Sequence, residues 1–237
     1  MKKFSVICLL FLSGLAQASN LLIDYDGSAL PSSVDGWISL STHGSYSSDG
    51  SALRIVDDIF DYGSSSGFYN YTDLNPAQAT TVQFRARMFA GESNQHGYTN
   101  GNSRGPFSVW LYDGGVRADM SIGVDKVTAG GGPCCAALTQ LLDHALDGTQ
   151  WHDYKYALTP TSIEWFVDGV LVGSAARSAL RSSGDGPRIN MFFTAASGDV
   201  EVDYLRVYKS VIPIPAAVWL FGSALAGLGF IRRRKQS

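Results

Sequence analysis

From Thr81 to Met88 apolar and polar side chains alternate without a break. Val82, Phe84, Ala86 and Met88 fall on one side, and Gln83, Arg85 and Arg87 on the other. A period of two predicts a strand with one face buried. The same period recurs at Ile189, Met191 and Phe193, and again at Val200 and Val202. There it changes phase to Leu205 and Val207, as a bulge or a strand buried on both faces would. Ser162–Val167 and Val170–Val172 are separated only by Asp168-Gly169, the signature of a hairpin with a type I′ turn. Phe107–Tyr112 and Arg117–Ile122 read as two more strands. In the first, Trp110 and Tyr112 oppose Val109 and Leu111, so one pair faces the core and the other the opposite surface of the sheet. Trp151 and Trp165 are assigned to the core. One stretch departs from the pattern: Leu138, Leu141, Leu142 and Ala145 are spaced as on a helix, predicting a short helix or ordered loop over 136–146. Gly- and Ser-rich loops separate the strands. The fold class that follows is all-β, a two-sheet antiparallel sandwich or jelly roll, with residues 19–210 as one domain.

Both ends of the chain break with this body. Lys2 and Lys3 precede an apolar run from Val6 to Leu15 and then Ala16-Gln17-Ala18. That order predicts a signal peptide over 1–18, cut between Ala18 and Ser19, because the run is too short to span a bilayer. At the other end Ile214 to Ile231 carries no charge and, as a helix, would reach about 27 Å, one hydrocarbon thickness. Pro213 and Pro215 stand where a helix can do without an N–H. Arg232, Arg233, Arg234 and Lys235 close the segment, which predicts a transmembrane helix with its C-terminal end in the cytoplasm and the body exported.

Setting the ends aside changes the charge. Of 18 basic residues, two lie in the leading segment and four in the tail. That leaves 12 against all 21 acidic residues, a net charge of −9 for the body. Nucleic acid is excluded as a partner on that balance. Cys8 belongs to the signal, and Cys134 and Cys135 are adjacent. They read as a strained vicinal disulfide, two packed thiols or an intermolecular bridge, with no functional role expected.

Two resemblances sharpen the picture. Pro213-Ile214-Pro215-Ala216-Ala217-Val218-Trp219, followed by the Gly/Ala/Leu run and the Arg cluster, resembles a PEP-CTERM sorting signal, in particular the variant carrying V-P-L-P-A. The resemblance implies a Gram-negative bacterium and an exosortase-type processing enzyme as partner. It also implies membrane anchoring through residues 211–237, then release to the cell surface or extracellular matrix. The body resembles concanavalin A-like lectin/glucanase (laminin-G-like) domains. Trp151-His152-Asp153-Tyr154, Thr159-Pro160 and Ile163 to Gly169 match their W-H-x-Y … T-P … I-x-W-x-V-D-G hairpin, and Val202 to Tyr208 matches their V-D-Y-x-R-V-Y closing strand. Tyr25-Asp26-Gly27, Leu30-Pro31 and Trp37 are consistent with their first strand.

Glucanases of that superfamily carry E-x-D-x-x-E on the cleft strand, since retaining hydrolysis needs two carboxyls about 5–5.5 Å apart. In this chain only Asp119 matches. Arg117 stands at the nucleophile and Ile122 at the acid/base, which implies a protein that is not an enzyme. His43, His96, His144 and His152 show no metal-ligand spacing, and His152 reads as structural. Asp57, Asp58 and Asp61 would suit calcium, but a solvated acidic turn is favoured, so no cofactor is expected. Trp110 and Tyr112 are the candidate glycan contacts. The expectation is an exported, exosortase-sorted surface or matrix protein, non-enzymatic and binding polysaccharide. The alternatives are a divergent glycoside hydrolase or polysaccharide lyase, and a purely structural surface protein.

Overall fold

The computed structural model describes residues 19–34, 36–40, 44–57, 65–71, 78–89, 97–99, 102–104, 107–113, 115–131, 139–194 and 198–210. In chain order the strands are β1 (Ser19–Tyr25), β2 (Trp37–Ser39), β3 (Ser45–Ser48), β4 (Leu53–Asp57), β5 (Ser65–Tyr71) and β6 (Thr80–Met88). Then come β7 (Gly97–Thr99), β8 (Asn102–Arg104), β9 (Phe107–Tyr112), β10 (Val116–Ile122), β11 (Lys126–Gly131) and β12 (Thr139–Ala145). The last are β13 (His152–Leu158), β14 (Ser162–Val167), β15 (Val170–Ala176), β16 (Arg181–Ser182), β17 (Arg188–Thr194) and β18 (Gly198–Ser210). One antiparallel sheet runs β15-β14-β13-β6-β18-β4-β3, with β1 also on β18. The second runs β12-β11-β10-β9-β17-β5-β2, with β16 also on β10. β7 and β8 form a separate pair.

The alternation read from the sequence decides which residues meet between the sheets. Val82, Phe84, Ala86 and Met88 of β6 join Tyr154 and Tyr156 of β13, Trp165 of β14, and Val200, Val202, Leu205 and Val207 of β18. Opposite them lie Phe107, Val109 and Leu111 of β9, Ala118, Met120 and Ile122 of β10, and Ile189, Met191 and Phe193 of β17. Aromatic pairs add directional contact, with Phe84 stacked on Tyr154 at 5.1 Å and Phe107 edge-on to Phe193 at 5.5 Å. Two side chains cross the core to bind the second sheet's backbone. The Tyr156 hydroxyl donates to the Val109 carbonyl (3.4 Å), and Nε1 of Trp165 donates to the Asp119 carbonyl (3.0 Å).

The phase change in the last strand is a bulge: the register against β6 shifts between Val202 and Tyr204, leaving Asp203 as the extra residue. The predicted hairpin forms, with Asp168 at φ +49° and Gly169 at φ +78°, both positive as a type I′ turn requires. His152 ties this turn to its surroundings. Nδ1 lies 2.7 Å from Asp168 and Nε2 3.0 Å from the Asp147 carbonyl.

Two expectations are corrected. Thr139–Ala145 is a strand and not a helix. It pairs with β11, and the register shift between Ala129 and Gly130 leaves Leu141 as an extra residue beside inward-facing Leu142. A bulge on an edge strand therefore produced the helix-like spacing, and a helix this short is marginal without packing. Trp151 is not in the core: it is half-buried on the surface beneath the guanidinium groups of Arg87 (4.9 Å) and Arg85 (5.5 Å).

Among the described residues, no helix is long and apolar enough to cross a membrane. The expected signal over 1–18 and the sorting segment with Pro213, Pro215, Ala216 and its Arg cluster lie outside the described residues, as do Cys134, Cys135, His43, His96, Asp58 and Asp61. Asp57 is buried at the end of β4.

Candidate functional site

Where one face of a strand enters the core, the residues between project from the other face. On the second sheet these are Ser108, Trp110 and Tyr112 of β9, Arg117, Asp119 and Ser121 of β10, and Arg188, Asn190 and Phe192 of β17. Adjacent strands place Trp110 between Asp119 and Asn190, and Tyr112 between Arg117 and Arg188. Trp110 and Tyr112 thus share the face turned away from the core, as one of the two sequence options required.

Polar groups on this face are buried and bound to one another. Arg117 is 5% exposed, lies 3.8 Å above the Trp110 ring, and pairs with Asp119 at 3.1 Å. The second Asp119 carboxylate oxygen accepts the backbone N–H of Gly130 at 2.9 Å. Ser108 and Ser121 hydroxyls meet at 2.7 Å. Trp110 is edge-on to Phe192 at 4.6 Å, and the Arg188 guanidinium lies 4.6 Å from the Tyr112 ring. Burial raises the Tyr112 hydroxyl above its ordinary pKa, with Arg117 and Arg188 pulling the other way. Arg117 Nε and Asn190 Oδ1 are buried without a hydrogen-bond partner. Such groups cost free energy unless something fills the site. A cavity of about 570 Å³ opens at the Arg117 end of this face, lined by Tyr112, Arg117, Arg181 and the Ser182–Asp185 loop.

Among the sequence candidates, Trp110 and Tyr112 are only 9% and 5% exposed, so they form the wall of the site. Ile122 does not stand at the acid/base position. β10 pairs with β9 in unbroken register, Ile122 points into the core, and Ser121 takes the third place on the face. Arg188, Asn190 and Phe192 were not singled out. The alternation of Ile189, Met191 and Phe193 already implied that they project oppositely, but Phe192 masked the polar character of that face.

No family model matches the chain, and no curated protein matches it. Solved structures do. The carbohydrate esterase of Shiga toxin-encoding bacteriophage phi24B aligns at 14% identity with a TM-score of 0.59, covering 82% of this chain and 100% of that one. The laminarinase catalytic domain of Thermotoga maritima aligns at 15% with a TM-score of 0.55, covering 81% and 99%. The endo-beta-1,3-glucanase of Pyrococcus furiosus aligns at 15% with a TM-score of 0.55, covering 82% and 96%. The fold is the concanavalin A-like lectin/glucanase fold. These neighbours overturn the expectation of a protein without catalysis, since the three that share this fold across the body are a carbohydrate esterase, a laminarinase and an endo-beta-1,3-glucanase. The expectation failed because it equated the absence of one carboxylate motif with the absence of chemistry. Glycosidic bonds also break with an acid and a base that never bond to the sugar.

Proposed function

We propose that this protein is a divergent carbohydrate-active enzyme that cleaves polysaccharide on the outward face of the second sheet. The observation carrying this reading is the buried cluster around Asp119, a carboxylate gripped by Arg117 and the Gly130 N–H inside an aromatic wall. A retaining mechanism asks for a second carboxyl nearby, and β10 presents Arg117 and Ser121 instead. Asp119 and Tyr112 are diagonal neighbours across the β9–β10 pair, positions typically about 7–8 Å apart. That spacing resembles the acid–base separation which leaves room for a water in inverting hydrolysis. In this reading Asp119 takes the proton of the attacking water. Tyr112, kept protonated by burial, gives its proton to the departing glycosidic oxygen. Arg117 positions Asp119 and does not itself react.

The test is incubation of the purified full chain with a panel of polysaccharides, followed by chain length and the anomeric configuration of new ends. Cleavage with inversion, lost in both Asp119→Asn and Tyr112→Phe, is expected. Intact polymers throughout, or full activity in Asp119→Asn, would overturn the reading. The proposal places the protein outside the inner membrane, exported by its leader and sorted through its tail by an exosortase-type enzyme. The charge asymmetry of its two apolar segments supports that placement.

A further inference from the structure

Beyond Arg188 and Asn190 the outward face of the second sheet continues onto β5 and β2. Phe68 and Trp37 are buried in the core, so Tyr69, Tyr71 and Ile38 project outward with Trp110 and Tyr112. Tyr71 stands opposite Arg188, Tyr69 opposite Asn190, and Ile38 opposite Tyr69. Tyr71 is 59% and Ile38 43% exposed, whereas Trp110 and Tyr112 further along the same rows are closed in. The Tyr69 and Tyr71 rings meet edge to face, 5.3 Å apart at 87°, and form an aromatic corner. Arg188 lies between Tyr71 and Tyr112 in register and engages both hydroxyls, which steadies the open ring. A ring left this open adds little to the burial that holds the sheets together. Three uncharged side chains fall well short of the roughly 800 Å² that each partner gives to a stable protein pair. They do match a sugar ring or two, whose C–H faces stack on tyrosine while their hydroxyls meet the phenolic oxygens. Two strand spacings separate Tyr71 from Tyr112, about 10 Å across the sheet.

We propose that Tyr71, Tyr69 and Ile38 form a sugar-stacking platform, which holds a neutral stretch of the polysaccharide chain away from the bond that is cut. This inference rests on the outward face being the polysaccharide site. A chain lying across the strands from β10 to β2 meets the reacting groups and the platform together. Long chains then gain a contact that the shortest ones lack. Tyr71 touches sugar units that do not change during the reaction, so it binds substrate and transition state alike and acts on KM more than on kcat. The platform side chains carry no charge, and their contact should survive added salt.

The experiment measures binding and cleavage of laminarin, lichenan and galactan by the purified full chain and its Tyr71 variants. Tyr71→Ala should weaken the bound polymer about five- to tenfold, and Tyr71→Phe, which keeps the ring, about twofold or less. Both variants should melt with the natural chain, because the side chain is mostly exposed. In cleavage, Tyr71→Ala should raise KM for the polymer, leave kcat unchanged, and leave the shortest cleaved oligosaccharide unaffected. A polymer bound equally by the natural chain and Tyr71→Ala overturns the platform, and if Asp119→Asn still abolishes cleavage the site itself stands. Tyr71→Phe as damaging as Tyr71→Ala also overturns it, since stacking is then not the contact. A dimer of the natural chain that Tyr71→Ala dissociates would make the patch a protein interface and sink the sugar platform. Binding that depends on Tyr71 without any cleavage keeps the platform and removes the proposed reaction. Failure to bind all three polymers removes both.

Discussion

Trp165 reaches from the first sheet through the core to the backbone of the residue that organises the opposite face. Its indole N–H holds the carbonyl of Asp119, so the position of the carboxylate is set partly from behind. Trp165→Phe keeps most of the apolar volume and removes that donor. A loss of about 1–3 kcal/mol is expected from the denaturant midpoint, because a buried carbonyl loses its partner. Arg117→Lys is a second test at this scale. An ammonium cannot lie flat on Trp110 while meeting Asp119 side-on, so the proposed polysaccharide cleavage, measured as new chain ends, should fall even if charge is kept. In the sequence, Trp110 and Tyr112 stand out by strand alternation, and Asp119 by its match to the E-x-D-x-x-E motif of the resembling glucanases. Arg188 and Asn190 do not stand out, because cross-strand neighbours are set by register, which no single strand carries.

Among the elements, the bulged β18 and the Asp168-Gly169 hairpin bear the most specific consequences. The bulge carbonyls sit against Gly27: a Cβ built there would come within 2.4 Å of the Asp203 carbonyl oxygen, and the backbone is at φ +73°. Gly27→Ala should therefore cost more than the about 1–2 kcal/mol of left-handed strain alone, measured as a lowered Tm. In the hairpin, burial raises the Asp168 pKa, but the hydrogen bonds from His152 and the Asp153 N–H outweigh it and leave the group below its ordinary value. A depressed folded pKa gives stability that is present above the unfolded carboxylate value, near 4, and lost as pH falls through the folded one. Acid unfolding of Asp168→Asn should lose that part of its pH slope, and Asn still accepts the positive φ of the turn. Strands with unbroken alternation and a two-residue turn were legible in advance. The Thr139–Ala145 strand was not, because one bulge turns a period of two into a spacing that mimics three and four.

At the scale of the whole molecule, the body reads as an all-β sandwich from sequence and is one in structure. The glucanase resemblance is already carried by the Trp151–Gly169 hairpin and the Val202–Tyr208 closing strand, while the two glutamates of E-x-D-x-x-E are missing from the chain. The two ends carry a separate prediction. Changing Pro213 and Pro215 together to Ala should give a longer, membrane-retained protein, because the proposed processing enzyme loses its recognition element while the apolar segment still inserts. Mass and fractionation identical to the natural chain would leave a plain anchor in place of a sorting signal.

Pairing between the first and last strands sets how the body bears mechanical load. Ser19 lies opposite Ser210, and the ladder then runs inward to Tyr25 and Leu205. A pull between these two ends strains one hydrogen-bonded rung at a time, as a zipper opens, and not the whole ladder at once. In single-molecule extension, β1 should peel from β18 at low force before the β6–β18 seam yields. A chain tethered at its last strand and pulled by its first would thus shed one edge strand while the face bearing Asp119 stayed assembled.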